Sequence, residues 1–350
     1  MAIKLGIIGY GGMAHWHRES GLKNIPGFEV IGVYDVDPAK IEEARSQGMI
    51  GYDKLEDMLA NPDINLCLVA TPNQVHKELT IAALNAGKNV VCEKPVTLTV
   101  KDLDEMIAAS EKNNKLFTVH QNRRWDADYL VAKKVFDSGI LGDVFTIQSR
   151  LHGTGGIMHG WRALPECGGG MVYDWGVHFI DQICNMVPGK ITDISADLHS
   201  VKNLLIDDYF MAQLKFDTGV QVMIEIGTFL LKPTPRWYMA GNAGTLQIDD
   251  FSGVKGGITK VSKLAELIPP VIVNTPAGPT RTFAPQPPET LEQIELPSFS
   301  GGWSDFYKNV DAAIDGKEEL IVKPCQVRRV LGVLEKIFES AKTGHSVKYE

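Results

Sequence analysis

The stretch Lys4-Leu5-Gly6-Ile7-Ile8-Gly9-Tyr10-Gly11-Gly12-Met13-Ala14 decides how this chain reads. A short apolar strand, Leu5–Ile8, runs into a glycine-rich turn of the form G-x-G-x-x-A. In a dinucleotide fingerprint, Gly9 allows the tight turn and Gly11 lets backbone approach a pyrophosphate. Ala14 lets the next helix sit close to the strand. Amide groups at that helix N-terminus then face the phosphates. A second strand, Glu29–Tyr34, ends in Asp35, roughly 20 residues on, where the fingerprint wants a carboxylate for the adenosine ribose.

Outward from this turn, residues 1–120 alternate strand and helix. A helix is expected over Met13–Leu22 and another over Pro38–Gln47, with proline in its first turn. A short helix follows at Leu55–Leu59. Ile64–Ala70 is a continuous apolar run, as a parallel strand buried on both faces requires. A helix from His76 to Ala86, a strand Asn89–Cys92, a helix Val100–Asn113 capped by Thr99, and a strand Leu116–His120 complete the series. This rhythm predicts an α/β fold with an N-terminal Rossmann doubly wound parallel sheet over residues 1–122. Ligands of such sheets sit at the carboxyl ends of the strands. The candidate cofactor contacts are therefore Gly9, Gly11, Gly12, Met13, Asp35, Thr71, Pro72, Asn73, His76, Glu93, Lys94 and Asn122.

Residues 123–350 read differently. A helix at Tyr129–Ser138 precedes strand-like runs at Val144–Leu151, Ile191–Val201, Tyr209–Phe216, Val220–Phe229, Trp237–Ala240 and Thr245–Ile248. Alternation such as Gln221-Val222-Met223-Ile224-Glu225, with turn signals at 217–219 and 241–244, predicts a C-terminal α+β domain on a large, mostly antiparallel open sheet. Proline-rich residues 269–300 read as extended loop or edge structure, and helices close the chain near Ser304–Asp315 and Cys325–Thr343.

The 350 residues suffice for two cores. Apolar residues make up 44% and charged residues 22%, ordinary for a soluble protein. A net charge of -8 without a long basic run argues against a nucleic-acid groove or an anionic membrane surface. Five scattered cysteines form no CxxC pair, and His152 and His159 lack ligand spacing, so neither disulfides nor a metal site is expected. The first strand begins at Ile3, and no apolar run reaches the ~18 residues of a membrane span, so a cytoplasmic location is expected.

A second cluster, Gly168-Gly169-Gly170-Met171-Val172-Tyr173-Asp174-Trp175-Gly176-Val177-His178-Phe179-Ile180-Asp181, also carries chemistry. On a helix starting near Gly170, Asp174 and His178 stand at i and i+4 and share a face. A carboxylate beside an imidazole can orient a general base. The same spacing also suits a salt-bridged core histidine.

The fingerprint, Glu93-Lys94-Pro95 after an inner strand, and the glycine cluster with Asp174 and His178 together resemble the Gfo/Idh/MocA oxidoreductase family along essentially the whole chain. That resemblance implies NAD(P)-dependent oxidation of a sugar or polyol hydroxyl, or reduction of the ketone. It implies Lys94, Asp174 and His178 as catalytic residues, which with Arg124 would also bind substrate. Trp161 and Arg162 would close over nicotinamide or substrate. Asp35, followed by Val36 and Asp37 with no arginine, favours NAD, with NADP possible. Lys40 is expected to face solvent. A broad sheet needing cover on its outer face, together with the resemblance, leads to the expectation of a homodimer or homotetramer. Two alternatives share these residues: NAD-dependent glycoside cleavage through transient oxidation, and a non-catalytic sugar or nucleotide sensor.

Overall fold

The computed structural model describes residues 3–23, 25–153, 155–156, 158–262, 272–281 and 288–350. Strands β1 (Ile3–Ile8), β2 (Phe28–Tyr34), β3 (Ile50–Tyr52), β4 (Leu66–Val69), β5 (Asn89–Cys92) and β6 (Phe117–Val119) form one parallel sheet. Its order is β3-β2-β1-β4-β5-β6. The order reverses between β1 and β4, which places the crevice beside the glycine turn. Helices α1 (Gly12–Trp16), α2 (Pro38–Ser46), α3 (Leu55–Ala60), α4 (His76–Asn85) and α5 (Val100–Asn113) connect the strands.

Local chemistry sets the ends of these helices. Asp37 accepts a hydrogen bond from the Ala39 amide at 2.9 Å and caps α2 ahead of Pro38. Thr99 caps α5 by accepting from the Asp102 amide at 3.1 Å. Strand β3 is absent from the sequence reading because three residues at a sheet edge, none of them buried, leave too little apolar periodicity. After α1 the chain widens into a π turn, His17–Gly21, rather than one continuous α-helix.

Helix α6 (Ala127–Asp137) leads into the second sheet. That sheet contains β7 (Val144–His152), β8 (Ile191–His199), β9 (Tyr209–Phe216), β10 (Gln221–Gly227), β11 (Trp237–Gly241), β12 (Gly244–Ile248) and β13 (Gly256–Val261). A small hairpin, β14 (Ile272–Thr275) and β15 (Gly278–Arg281), stands apart. Edge strands β16 (Leu291–Ile294) and β17 (Val347–Lys348) complete a nine-stranded sheet of order β16-β13-β12-β11-β7-β10-β9-β8-β17. It is antiparallel except for the central β7–β10 pair. Of the proline-rich segment, residues 269–271 and 282–287 lie outside the described residues.

Period-two alternation sorts the two faces of the second sheet. Phe210, Ala212, Leu214, Val222, Ile224 and Ile226 are buried on the inner face, toward α7 (Val177–Met186) and α9 (Pro324–Thr343). The outer face carries Thr146, Gln148, Gln213, Lys215 and Gln221. Half-buried Met211, Met223 and Tyr238 lie among them on the same face. Helix α8 (Ser304–Ile314) and the segment before α9 return to the first sheet. The Tyr307 hydroxyl meets His17 Nδ1 at 2.6 Å, and Thr118 Oγ1 donates to the Val322 carbonyl at 2.8 Å. Among the described residues no helix is long and apolar enough to cross a membrane.

Candidate active site

The carboxyl ends of β1, β2, β4 and β5 open into a cleft of about 570 Å³. Twelve of the expected residues line it: Gly9, Gly11, Gly12, Met13, Asp35, Thr71, Pro72, Asn73, Glu93, Lys94, Trp161 and Arg162. Gly9 has φ +90°, and a Cβ there would lie 2.6 Å from Thr71 Cγ2 and 2.8 Å from the Ala70 carbonyl oxygen, so only glycine fits. A Cβ on Gly11 or Gly12 would meet nothing within 4 Å. The space above them is therefore open, as close approach of a pyrophosphate requires. Asp35 is fixed at the end of β2, accepting from the Tyr10 amide at 2.6 Å and the Asp37 amide at 2.9 Å. Lys40 is held by Glu43 at 2.8 Å instead of pairing with Asp35. These features fit a dinucleotide with its adenosine ribose at Asp35.

At the other end of the cleft stands Lys94. Its ammonium donates to Asp174 Oδ1 at 3.0 Å and to the Asp174 carbonyl at 2.8 Å. An ammonium has three protons, so one remains for a substrate oxygen. Arg162 Nε lies 3.7 Å from the same Asp174 oxygen. Burial opposes ionisation of Asp174, but Lys94 and Arg162 outweigh it and hold the carboxyl below its usual range. His178 is buried, with a pKa held well below the ordinary 6.5, first by burial and then by the charges of Lys94 and Arg123. It is therefore a neutral imidazole at neutral pH.

Asp174 does not orient His178 as the i, i+4 spacing suggests. Residues Val172–Gly176 form a π turn, and α7 starts only at Val177, so the spacing of an α-helix does not apply across this segment. The partner of His178 Nδ1 is Gln121 Oε1 at 3.2 Å. A carbonyl oxygen only accepts, so Nδ1 carries the proton and Nε2 keeps the lone pair. Gln121 escaped the sequence reading because an isolated glutamine at a strand end has no motif. Its Nε2 is buried without a hydrogen-bond partner among the described residues.

Glu93 anchors the lysine from behind. Its Oε1 meets His17 Nε2 at 2.6 Å and His120 Nδ1 at 2.8 Å, and its Oε2 accepts the Lys94 amide at 3.1 Å. All three side chains are buried. Burial works against the carboxylate, yet His120 and His17 keep Glu93 well below its usual range. The candidate ligand atoms of His17, Glu93 and His120 also lie within 4.8 Å of one another, close enough to surround a metal ion. The contacts between them already have hydrogen-bond lengths.

Three expected residues are placed elsewhere. Arg124 does not line the cleft: it is buried, grips Asp181 at 2.7 and 2.6 Å, and donates from Nη1 to the Ile321 carbonyl and Gln326. His76 does not line the cleft: it is fully buried, with its ring nitrogens on the Pro95 and Thr71 carbonyls. It braces the strand ends that carry Thr71 and Lys94. Asn122 opens the turn Asn122–Trp125 and does not line the cleft.

Two family descriptions match the chain. Residues 3–121 match the oxidoreductase family with an NAD-binding Rossmann fold, and residues 129–247 match the GFO/IDH/MocA C-terminal domain. The chain belongs to the Gfo/Idh/MocA oxidoreductase family. An NAD-binding protein from Listeria innocua is 38% identical, with a TM-score of 0.88 over 100% of this chain and 97% of that one. The scyllo-inositol 2-dehydrogenase (NADP(+)) IolW of Bacillus subtilis is 27% identical over 360 residues, covering 99% of this chain and 96% of that protein. The WlbA dehydrogenase of Chromobacterium violaceum, solved in complex with NADH and UDP-GlcNAcA, shares the fold at 19% identity and a TM-score of 0.80, covering 99% and 96%. As a Gfo/Idh/MocA chain, this one carries an NAD-binding Rossmann domain, and its cofactor is NAD(P).

Proposed function

We propose that this protein oxidises a secondary hydroxyl of a sugar, polyol or glycoside with NAD, or reduces the corresponding ketone. The observation that carries this reading is the pairing of a lysine with one uncommitted proton and a buried, neutral histidine beside the nucleotide cleft. The bound dinucleotide supplies a hydride acceptor or donor. Everything else falls to the chain. His178 Nε2 takes the hydroxyl proton, with the Nδ1–H to Gln121 holding the ring in the tautomer that leaves Nε2 free. Lys94 donates its remaining hydrogen bond to the same oxygen and stabilises the alkoxide as it forms. In the reverse direction Lys94 polarises the ketone. The charges of Lys94 and Arg123 return the proton from His178 once oxidation is complete.

Asp174 acts on the lysine: two contacts to one residue fix the ammonium and leave it aimed at substrate. Preference for NAD over NADP follows from the Asp35 carboxylate, which can accept from both ribose hydroxyls and repels a 2′-phosphate. Named relatives support a polyol or sugar class, among them the inositol 2-dehydrogenase of Salmonella typhimurium, 30% identical over 154 residues that cover 43% of this chain and 46% of that protein. A panel of sugars and polyols assayed for NADH formation tests the reading. Activity with at least one member, lost in His178→Asn with NADH affinity retained, supports it. Activity that survives the substitution refutes the assignment of the base.

A further inference from the structure

A second cavity, of about 490 Å³, is linked to the reacting centre through Trp175. Its walls are Arg123, Trp175, Phe251, Phe299 and Trp303, with Gly302 at its rim. Trp175 directly follows Asp174, and its ring centroid lies 6.3 Å from that of His178. Among the described residues the cavity shares no lining residue with the nucleotide cleft, so a dinucleotide lying in the cleft leaves it free. We propose that this cavity is a subsite for the second ring of a glycoside whose first ring reacts at Lys94 and His178. The proposal rests on the dehydrogenase reading above and names its substrate class.

The chemistry of the walls selects a carbohydrate ring. The Arg123 guanidinium carbon lies 4.2 Å from the Trp175 ring centroid, 5.8 Å from Phe251 and 5.9 Å from Trp303. Asp126 ties the group together, accepting from Arg123 Nη1 at 2.8 Å and from Trp303 Nε1 at 2.6 Å. A guanidinium has five N–H donors, and among the described residues the Arg123 side chain has Asp126 as its one hydrogen-bond partner. The guanidinium covers one face of Trp175, so the open aromatic surface is that of Phe299 and Trp303, exposed to 38% and 39%, next to the uncommitted donors of Arg123. A sugar ring presents a C–H face that packs on aromatic rings and a rim of oxygens that accept hydrogen bonds. A purely apolar ligand would desolvate those donors without replacing their bonds to water. A compact anion would use the guanidinium, leave the rings uncovered, and meet the Asp126 carboxylate beside it.

Gly302 supplies a clean perturbation. A Cβ there would meet nothing within 4 Å, and the backbone is not in the left-handed region. Gly302→Val therefore narrows the cavity without disturbing the fold. The test is tryptophan-fluorescence titration of the NADH-loaded protein with D-glucose, D-galactose, cellobiose, lactose and phenyl β-D-glucoside, alongside NADH formation from each with NAD. At least one glycoside is expected to bind about tenfold or more tighter than its parent hexose. Gly302→Val is expected to erase that gain while hexose and NADH affinities stay within about twofold. If hexoses bind and glycosides bind no tighter, the subsite is overturned and the dehydrogenase reading stands. It is also overturned if the gain survives Gly302→Val. If the gain behaves as expected but no probe yields NADH, the reaction at Lys94 and His178 is overturned and what stands is a binding site for two sugar rings. If no probe binds, both fall.

Discussion

Replacing Lys94 with methionine removes one charge from the site and leaves its shape nearly unchanged. Asp174 keeps Arg162 at 3.7 Å as an ionic partner, so the loop around it is expected to hold. Two of the three ammonium protons are committed to Asp174 at 3.0 and 2.8 Å, and the third is the one the mechanism spends on the reacting oxygen. Loss of one such donor to a developing oxyanion costs about 2.7–4 kcal/mol, or roughly 10²–10³ in kcat. A second effect has a definite sign. Lys94 disfavours protonation of His178, so its removal raises the His178 pKa. Oxidation needs neutral His178, and kcat/KM falls as pH drops through the pKa of the free enzyme's base. In the wild type that limb lies well below the ordinary histidine value, so activity persists on the acid side of about pH 6.5. In Lys94→Met the limb moves toward neutrality. The assay is NADH formation across pH for both proteins, with NADH binding measured in parallel. A rate loss under about tenfold, or an acid limb that does not move, would refute this placement of Lys94.

Other consequences follow from single residues. Gly11→Val is expected to leave the melting temperature unchanged, because its Cβ meets open space, yet to weaken NADH binding by at least about tenfold; retained affinity in isothermal titration would contradict the pyrophosphate placement. Asp35→Ser is expected to raise NADP use relative to NAD by roughly ten- to a hundredfold in kcat/KM, corresponding to about one to three kcal/mol of relieved repulsion; an unchanged ratio shows that Asp35 does not set cofactor choice. Gln121→Glu places a carboxylate on His178 Nδ1, favours the imidazolium, and should shift the acid limb of the oxidation profile upward. A profile identical to wild type would remove Gln121 from the orientation of the base.

Much of the fold was legible because its signals are local. The glycine turn, the capping residue Thr99, Pro38 in the first turn of its helix, and continuous apolar runs such as Leu66–Val69 each act within a few residues. Short or edge strands were not, since β3, β16 and β17 have little or no buried face to impose a period. The cleft lining followed from strand ends, which a doubly wound topology fixes once the strand order is right. What local reading could not supply was partner choice. Arg124 looks like any arginine near a site until Asp181 stands opposite it, and Asp174 looks like a partner for His178 until the π turn intervenes. Gln121, His17 and Tyr307 gain their roles only from contacts across 57, 76 and 290 positions of sequence.

The central claim is hydride removal from a carbinol carbon with His178 as the base. It is tested most directly by incubating the protein with NAD and a panel of sugars, polyols and glycosides while following NADH and the organic product together. The account predicts that at least one compound yields NADH and ketone in equal amounts, and that His178→Asn abolishes both while still binding NADH. A protein that binds NADH but forms none with any compound would contradict the account. So would release of aglycone from a glycoside with only catalytic NAD and no accumulation of NADH.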